Sequence, residues 1–246
     1  MLNLKKGGRV CFLGDSITEG VGVGEGERYF DFLSAMLEIE TVGFGVNGAQ
    51  LSGVEKQAAR VYEMFGDDVD AIFVFAGTND FYGGVPIGST FTEHSETVIV
   101  KRDDGGEPLV TNERRVREFC MDSKTVCGRL NRVLSFLKHC YHDKLIVLMT
   151  PIHRAYATFG NSNIQYSELY ANSAGVFFED YIKAVREAAD VWSVSLIDLY
   201  RESGLFPLFD ESASEFFVNT ETDRLHLNRR GHLRIAEVIA ANVCSR

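Results

Sequence analysis

Five short apolar runs, separated by longer amphipathic stretches, restrict this chain more than any other feature. They lie at residues 9–13 (RVCFL), 41–46, 70–75 (DAIFVF), 144–149 (KLIVLM) and 194–199. Unbroken runs of Val, Ile, Leu and Phe of this length describe strands buried on both faces. Such strands belong to a parallel sheet covered by helices, not to an antiparallel sheet with one wet face. Helical spacing fills the intervals. Over 29–39 it places Phe30, Leu33, Met36 and Leu37 on one face, and over 123–140 it aligns Val126, Leu130, Val133, Leu134 and Leu137. Further helices are read at 54–65, 175–189 and 231–243. Strands alternating with helices predict a three-layer, doubly wound α/β domain whose ligands bind beyond the carboxyl ends of the strands. The chain has 246 residues, enough for one such domain, and residues 1–246 are read as one.

One stretch breaks the rhythm. Between Phe81 and Phe119 no helical pattern occurs. Residues 96–100 alternate and are β-rich, Asp103-Asp104-Gly105-Gly106 is a turn signal, and residues 108–111 return as a second strand. Residues 81–119 are therefore expected to insert a β-hairpin after the third strand. Such an insertion either shapes a binding site or is a solvated decoration, and the pattern favours neither.

Charge and cysteine usage exclude several partners. Lys plus Arg is 25 against 35 Asp plus Glu, a net charge of −10. That balance repels phosphate backbones and anionic lipid, so neither nucleic acid nor a membrane is an expected partner. Arg114, Arg115 and Arg117 cluster, but Glu113 and Glu118 flank them. The five Cys are odd in number and form no C-x-x-C pair. Cys11 falls in an apolar run and reads as core. No signal-peptide h-region and no 18-residue apolar run is found, so a cytoplasmic protein is expected.

Chemistry is suggested by residues far apart in sequence. Gly14-Asp15-Ser16-Ile17 directly follows the first strand, and a turn there would hold the Ser16 hydroxyl at the sheet's carboxyl edge. A serine hydroxyl needs a base before it is a nucleophile. Asp223-Arg224-Leu225-His226 offers one: His titrates near neutrality, and a carboxylate three residues earlier, across one turn, can hold the far ring nitrogen. Attack on an ester creates a tetrahedral oxyanion, which needs donors. The backbone N–H groups of Ser16 and Gly48 and the side-chain amide of Asn79 each follow a different predicted strand at that same edge. Taken singly, each has a bland reading: a helix cap, a surface turn or a turn residue.

Together these segments resemble the four blocks of the SGNH/GDSL hydrolase family. GDSI carries Ser16, GFGVNGAQ places the block-two glycine at Gly48, AGTNDF supplies Asn79, and TDRLHLNRRGH supplies Asp223 and His226. The resemblance spans nearly the whole chain. It implies a flavodoxin-like α/β/α sandwich with a five-stranded parallel sheet, and ester hydrolysis of a small-molecule substrate without cofactor or metal. It implies catalytic Ser16, Asp223 and His226, and an oxyanion hole from Ser16, Gly48 and Asn79. Asp15, Asp80 and His153 are further candidates for the substrate pocket. Short-acyl, notably acetyl, esters of a carbohydrate or other small polar alcohol are the expected substrates, since no lid-like apolar segment is seen. A lysophospholipase or thioesterase-type acylhydrolase, an acyltransferase and a non-catalytic binding module of the same fold are the alternatives. Oligomeric state is not legible.

Other patterns carry less. Gly20, Gly22, Gly24 and Gly26 fit no G-x-G-x-x-G offset, so a dinucleotide loop is not supported. His139, Cys140, His142 and Asp143 sit at a predicted helix end, where a histidine suits the dipole better than a metal. His232 lacks a carboxylate three residues before it and is not the expected base. The nucleophile elbow G-x-S-x-G is absent, which argues against the unrelated α/β-hydrolase fold.

Overall fold

The computed structural model describes residues 4–102, 105 and 108–244. In chain order its elements are β1 (Arg9–Gly14), α1 (Ser16–Glu19), α2 (Tyr29–Leu37), β2 (Glu40–Gly43), α3 (Leu51–Phe65), β3 (Ala71–Phe75) and α4 (Thr78–Tyr82). The hairpin strands β4 (Phe91–Lys101) and β5 (Val110–Phe119) follow, then α5 (Val126–Cys140), β6 (Leu145–Met149), β7 (Ala157–Thr158) and β8 (Ile164–Gln165). The chain closes with α6 (Phe178–Val191), β9 (Ser195–Ile197), α7 (Leu199–Glu202), α8 (Asp210–Phe216), β10 (Phe217–Asn219), β11 (Asp223–Leu227) and α9 (Arg229–Cys244).

All five apolar runs become neighbours in one sheet of order β2-β1-β3-β6-β9, parallel throughout. The period of two divides the three central strands between two cores. Cys11, Leu13, Ile72, Val74, Ile146 and Leu148 face α3, α5 and α6. Val10, Phe12, Phe73, Phe75, Val147 and Met149 face α2 and α9. On the second face Phe12 stacks on Phe73 at 5.0 Å and on Phe30 of α2 at 5.3 Å between ring centroids. The result is the expected three-layer sandwich. The strand order reverses beside β1: the chain moves from β1 outward to β2, then returns to β3 on the opposite side. A switch of this kind opens a crevice at the carboxyl ends of the two central strands, and Ser16 and Asn79 lie just past those ends.

Helix starts are set by local chemistry that periodicity does not show. α5 begins at Val126, three residues later than the apolar pattern suggests, because Thr125 caps it and accepts from the Gly128 N–H at 3.2 Å. α3 begins at Leu51, three residues before the expected 54, because the Asp80 carboxylate accepts from the Leu51 N–H at 2.9 Å.

The insertion is a two-stranded antiparallel ribbon, with register running from Phe91↔Phe119 to Ile99↔Thr111. Both strands are longer than the sequence pattern predicts. Of the turn residues expected at its tip, Asp103, Asp104 and Gly106 lie outside the described residues. Its base is fastened to α5 and α6. Phe119 stacks on Trp192 at 4.2 Å, and the Asn131 amide donates to the carbonyls of Thr90 and Cys120 at 2.8 Å each. A second, four-stranded sheet of order β10-β11-β7-β8 was not anticipated; two of its strands are two residues long and carry no periodicity. Among the described residues no helix is long and apolar enough to cross a membrane.

Candidate active site

Ser16 is the first residue of α1, immediately after β1. The Asp15 carboxylate caps this turn, accepting from the Ile17 N–H at 3.1 Å. The end of β1 is gripped from α3 by Gln57, whose amide both accepts from the Gly14 N–H and donates to the Gly14 carbonyl, each at 2.8 Å. These contacts hold the Ser16 backbone, and the side chain needs only one rotamer to reach the crevice.

Asp223 and His226 arrive on β11, an antiparallel strand, and not on the loop turn expected from D-x-x-H. Asp223 Oδ1 accepts from the N–H groups of Leu225 and His226 at 3.1 and 2.9 Å. Its Oδ2 lies 2.9 Å from His226 Nδ1. The other ring nitrogen, Nε2, lies 2.9 Å from Ser16 Oγ, across 210 residues of sequence. With the carboxylate accepting from Nδ1–H, Nε2 presents its lone pair to the hydroxyl proton. All three residues are buried to more than nine-tenths of their surface, which strengthens the chain of hydrogen bonds by excluding water. Phe159 packs on the imidazole with ring centroids 5.1 Å apart.

Gly48 and Asn79 come to the same place. Both line, with Ser16 and His226, one cavity of about 420 Å³. Gly48 has a φ of +75°, and its missing Cβ would meet nothing within 4 Å. Glycine is therefore demanded there by the left-handed backbone and not by crowding. Gly45 is the opposite case: a Cβ would come within 2.4 Å of the Glu19 backbone nitrogen, so the block-two loop lies directly on α1. The Asn79 amide donates one N–H to the Ala49 carbonyl at 3.0 Å, and the Gln50 amide donates to the Asn79 carbonyl at 3.2 Å. Among the described residues the Asn79 amide nitrogen has no second acceptor, and Asn79 borders the cavity. Four further carboxamides, Asn47, Gln50, Asn163 and Gln165, line the same walls.

The three other pocket candidates sit elsewhere. Asp15 lies behind the serine, against a small void lined by Phe75, Thr78 and Ile152. Burial pushes its carboxyl up to about 7, with the neighbouring Asp80 adding to the rise. Asp80 is fully buried and paired with Arg129 at 2.7 Å. Burial raises its pKa while that guanidinium pulls it back. With its bond to Leu51 the Asp80 carboxylate joins α4, α3 and α5 and does not face substrate space. His153 points away to Glu168, with Nδ1 to Oε1 at 2.6 Å, and packs on Tyr200 at 3.7 Å between centroids. For Asp80 and His153 the cause is the same. Position after a strand brings a residue to the correct edge, but a charged group there is drawn to whatever partner satisfies it, and the partners lie behind the site. His232 is buried, accepts from the Tyr29 N–H through Nδ1 at 3.2 Å, and is held at about 4 by burial; it stays neutral and away from Ser16. None of the hairpin's described residues lines the cavity.

Among the site residues that were missed are Gln57, Arg154 and Gln165, together with the cavity-lining Asn47, Gln50, Tyr82, Phe159 and Asn163. Gln57 carried a signal, a polar side chain between Val54 and Val61 on the apolar face of α3. Arg154 and Gln165 carried none, because they lie in segments without periodicity. Arg154 is 1% exposed and spans the gap between the site's two halves, donating to the Thr78 carbonyl and hydroxyl at 3.1 Å each and to Gln165 Oε1 at 2.6 Å. Burial lowers its pKa to about 10, still far above neutrality.

The sheet order, the two helical layers and the site at the β1/β3 switch point define an α/β/α sandwich of the SGNH hydrolase type. Solved structures agree. A protein from Lactobacillus plantarum is 25% identical, with 99% of each chain covered and a TM-score of 0.73. A lipase/acylhydrolase from Enterococcus faecalis is 16% identical over 96% of this chain and 94% of that one, with a TM-score of 0.55. An acetyl xylan esterase from Geobacillus stearothermophilus is 17% identical over 98% and 96%, with a TM-score of 0.58. Among curated proteins none matches. The model of the GDSL-like lipase/acylhydrolase family matches residues 12–234, and the chain belongs to that family.

Proposed function

We propose that this protein is a serine esterase that cleaves short-acyl esters, acetyl esters above all, of a carbohydrate or other small polar alcohol. The observation that carries the reading is the unbroken run Asp223–His226–Ser16, with both contacts at 2.9 Å. His226 Nε2 takes the Ser16 hydroxyl proton as Oγ attacks the acyl carbon. The ester carbonyl oxygen gains the negative charge and is held by the N–H groups of Ser16 and Gly48 and the second Asn79 N–H. Asp223 steadies the imidazolium, which then delivers its proton to the departing alcohol oxygen. A water molecule gives its proton to the same nitrogen, attacks the acyl-enzyme, and releases the carboxylic acid and Ser16.

The cavity supports the choice of alcohol. Its walls are rich in carboxamides and, among the described residues, carry no carboxylate or ammonium group, which suits neutral hydroxyl groups that both donate and accept. Acetyl xylan esterases share the fold. The test is hydrolysis of p-nitrophenyl esters of increasing chain length by the native chain and by Ser16→Ala. The native enzyme is expected to prefer acetyl, and the variant to lose turnover while keeping its melting temperature. Full turnover by Ser16→Ala would overturn the mechanism, and a preference for long chains would overturn the substrate class.

A further inference from the structure

A second recess, of about 170 Å³, opens beside the first. Tyr82 borders both. Around β8 successive side chains alternate between them: Asn163 and Gln165 wall the first cavity, Ile164 and Tyr166 the second. This is the period of an extended strand, and it sets the two recesses one strand apart. Tyr166 and Tyr170 stand at the rim of the second, 61% and 60% exposed, with ring centroids 5.2 Å apart. Clustered large aromatic groups held in water mark binding surfaces on soluble proteins. The recess is not purely apolar, however. Ser167 and Ser173 line it with the tyrosines, and its floor is the buried Arg154, whose Nε has no hydrogen-bond partner among the described residues.

An acyl chain would leave these polar groups facing hydrocarbon, at a cost that disfavours it. A pyranose ring fits both characters, since its C–H faces stack on aromatic rings while its hydroxyls ring the edge. We propose that this recess is a subsite for a second sugar ring, so that the enzyme acts on oligosaccharide esters with the acylated unit beside Ser16 and a neighbouring unit on Tyr166 and Tyr170. The proposal rests on the carbohydrate reading given above.

The experiment compares acetylated methyl xyloside, acetylated xylotetraose and p-nitrophenyl acetate, using the native chain, Tyr166→Ala, Tyr170→Ala and the ring-retaining Tyr166→Phe. In the native chain KM is expected to be about tenfold lower for the tetraose than for the monosaccharide, the size of one stacking contact. Either alanine variant should lose most of that advantage, Tyr166→Phe should keep it, and p-nitrophenyl acetate kinetics should not move. Equal KM for the two sugar esters in the native chain would overturn the subsite while leaving the carbohydrate reading intact. Turnover of p-nitrophenyl acetate without turnover of either sugar ester would overturn both. Loss of activity on long-chain p-nitrophenyl esters in the alanine variants would assign the recess to an acyl chain and overturn the subsite. Because the native comparison decides by itself, the proposal does not depend on the variants folding.

Discussion

Replacing Asp223 by Asn separates the carboxylate's chemistry from its place in the fold. Asp223 Oδ1 accepts two backbone N–H groups at 3.1 and 2.9 Å, and an Asn carbonyl would keep both. Where Oδ2 now meets His226 Nδ1 at 2.9 Å, the variant presents an amide N–H, a donor facing a donor. The imidazole is then driven to the tautomer with its proton on Nε2, aimed at Ser16 Oγ and unable to accept. Returning to the productive tautomer leaves buried donors opposed, which costs about 1–3 kcal/mol, and the imidazolium formed during attack also loses a charged hydrogen bond of similar worth. The combined effect is roughly 4 kcal/mol, or about a thousandfold in kcat. Steady-state hydrolysis of p-nitrophenyl acetate reads this directly, with a thermal melt in parallel. KM and melting temperature should change little. A variant that keeps more than about a tenth of native kcat would refute the assignment of Asp223 as the group that sets the tautomer.

Three further outcomes follow from the same contacts. Asn79→Ala removes the N–H proposed to hold the oxyanion and should lower kcat by about a hundredfold or more, with a smaller effect on KM; an unchanged kcat in ester turnover assays would remove Asn79 from the oxyanion site. Asp15 has a folded pKa of about 7 against an ordinary value of 3.8, so the folded state binds the extra proton between those values. Its contribution to stability is therefore complete at low pH and is lost as pH rises from about 4 through 7. Urea unfolding across that window should show the decline, and Asp15→Asn should flatten it. Arg129→Ala strips the partner from the fully buried Asp80, and urea unfolding should report a loss of roughly 3–5 kcal/mol; Asp80→Asn in the same background should restore much of it.

The three central runs were legible because strands buried on both faces are apolar at nearly every position, as β1, β3 and β6 are; the edge strands β2 and β9 are only partly buried and were placed by their alternation with helices. Three of the four blocks were legible for a different reason: Ser16, Gly48 and Asn79 each follow a predicted strand, so finding the strands located them, whereas the Asp223–His226 block was found by its own spacing ahead of the last helix. The four-stranded sheet was not legible. β7 and β8 are too short for a period, and β11 holds the D-x-x-H residues in an extended form that the spacing alone read as a turn. Asp80 and His153 show the same limit at the level of single side chains. Their strand-end positions were read correctly, but Arg129 and Glu168, supplied from distant segments, turned them away from the cavity.

Composition and periodicity alone determined that this chain forms a covered parallel sheet with a serine, a glycine and an asparagine at one edge, because burial on two faces constrains residue type locally. Only the tertiary structure decided that the His226 ring nitrogen comes within 2.9 Å of the Ser16 hydroxyl, that Arg154 ties the site's two halves, and that tyrosines wall a second recess. Those outcomes depend on contacts between segments up to 210 residues apart. The energy of such contacts belongs to pairs of residues, and no local pattern records a pair.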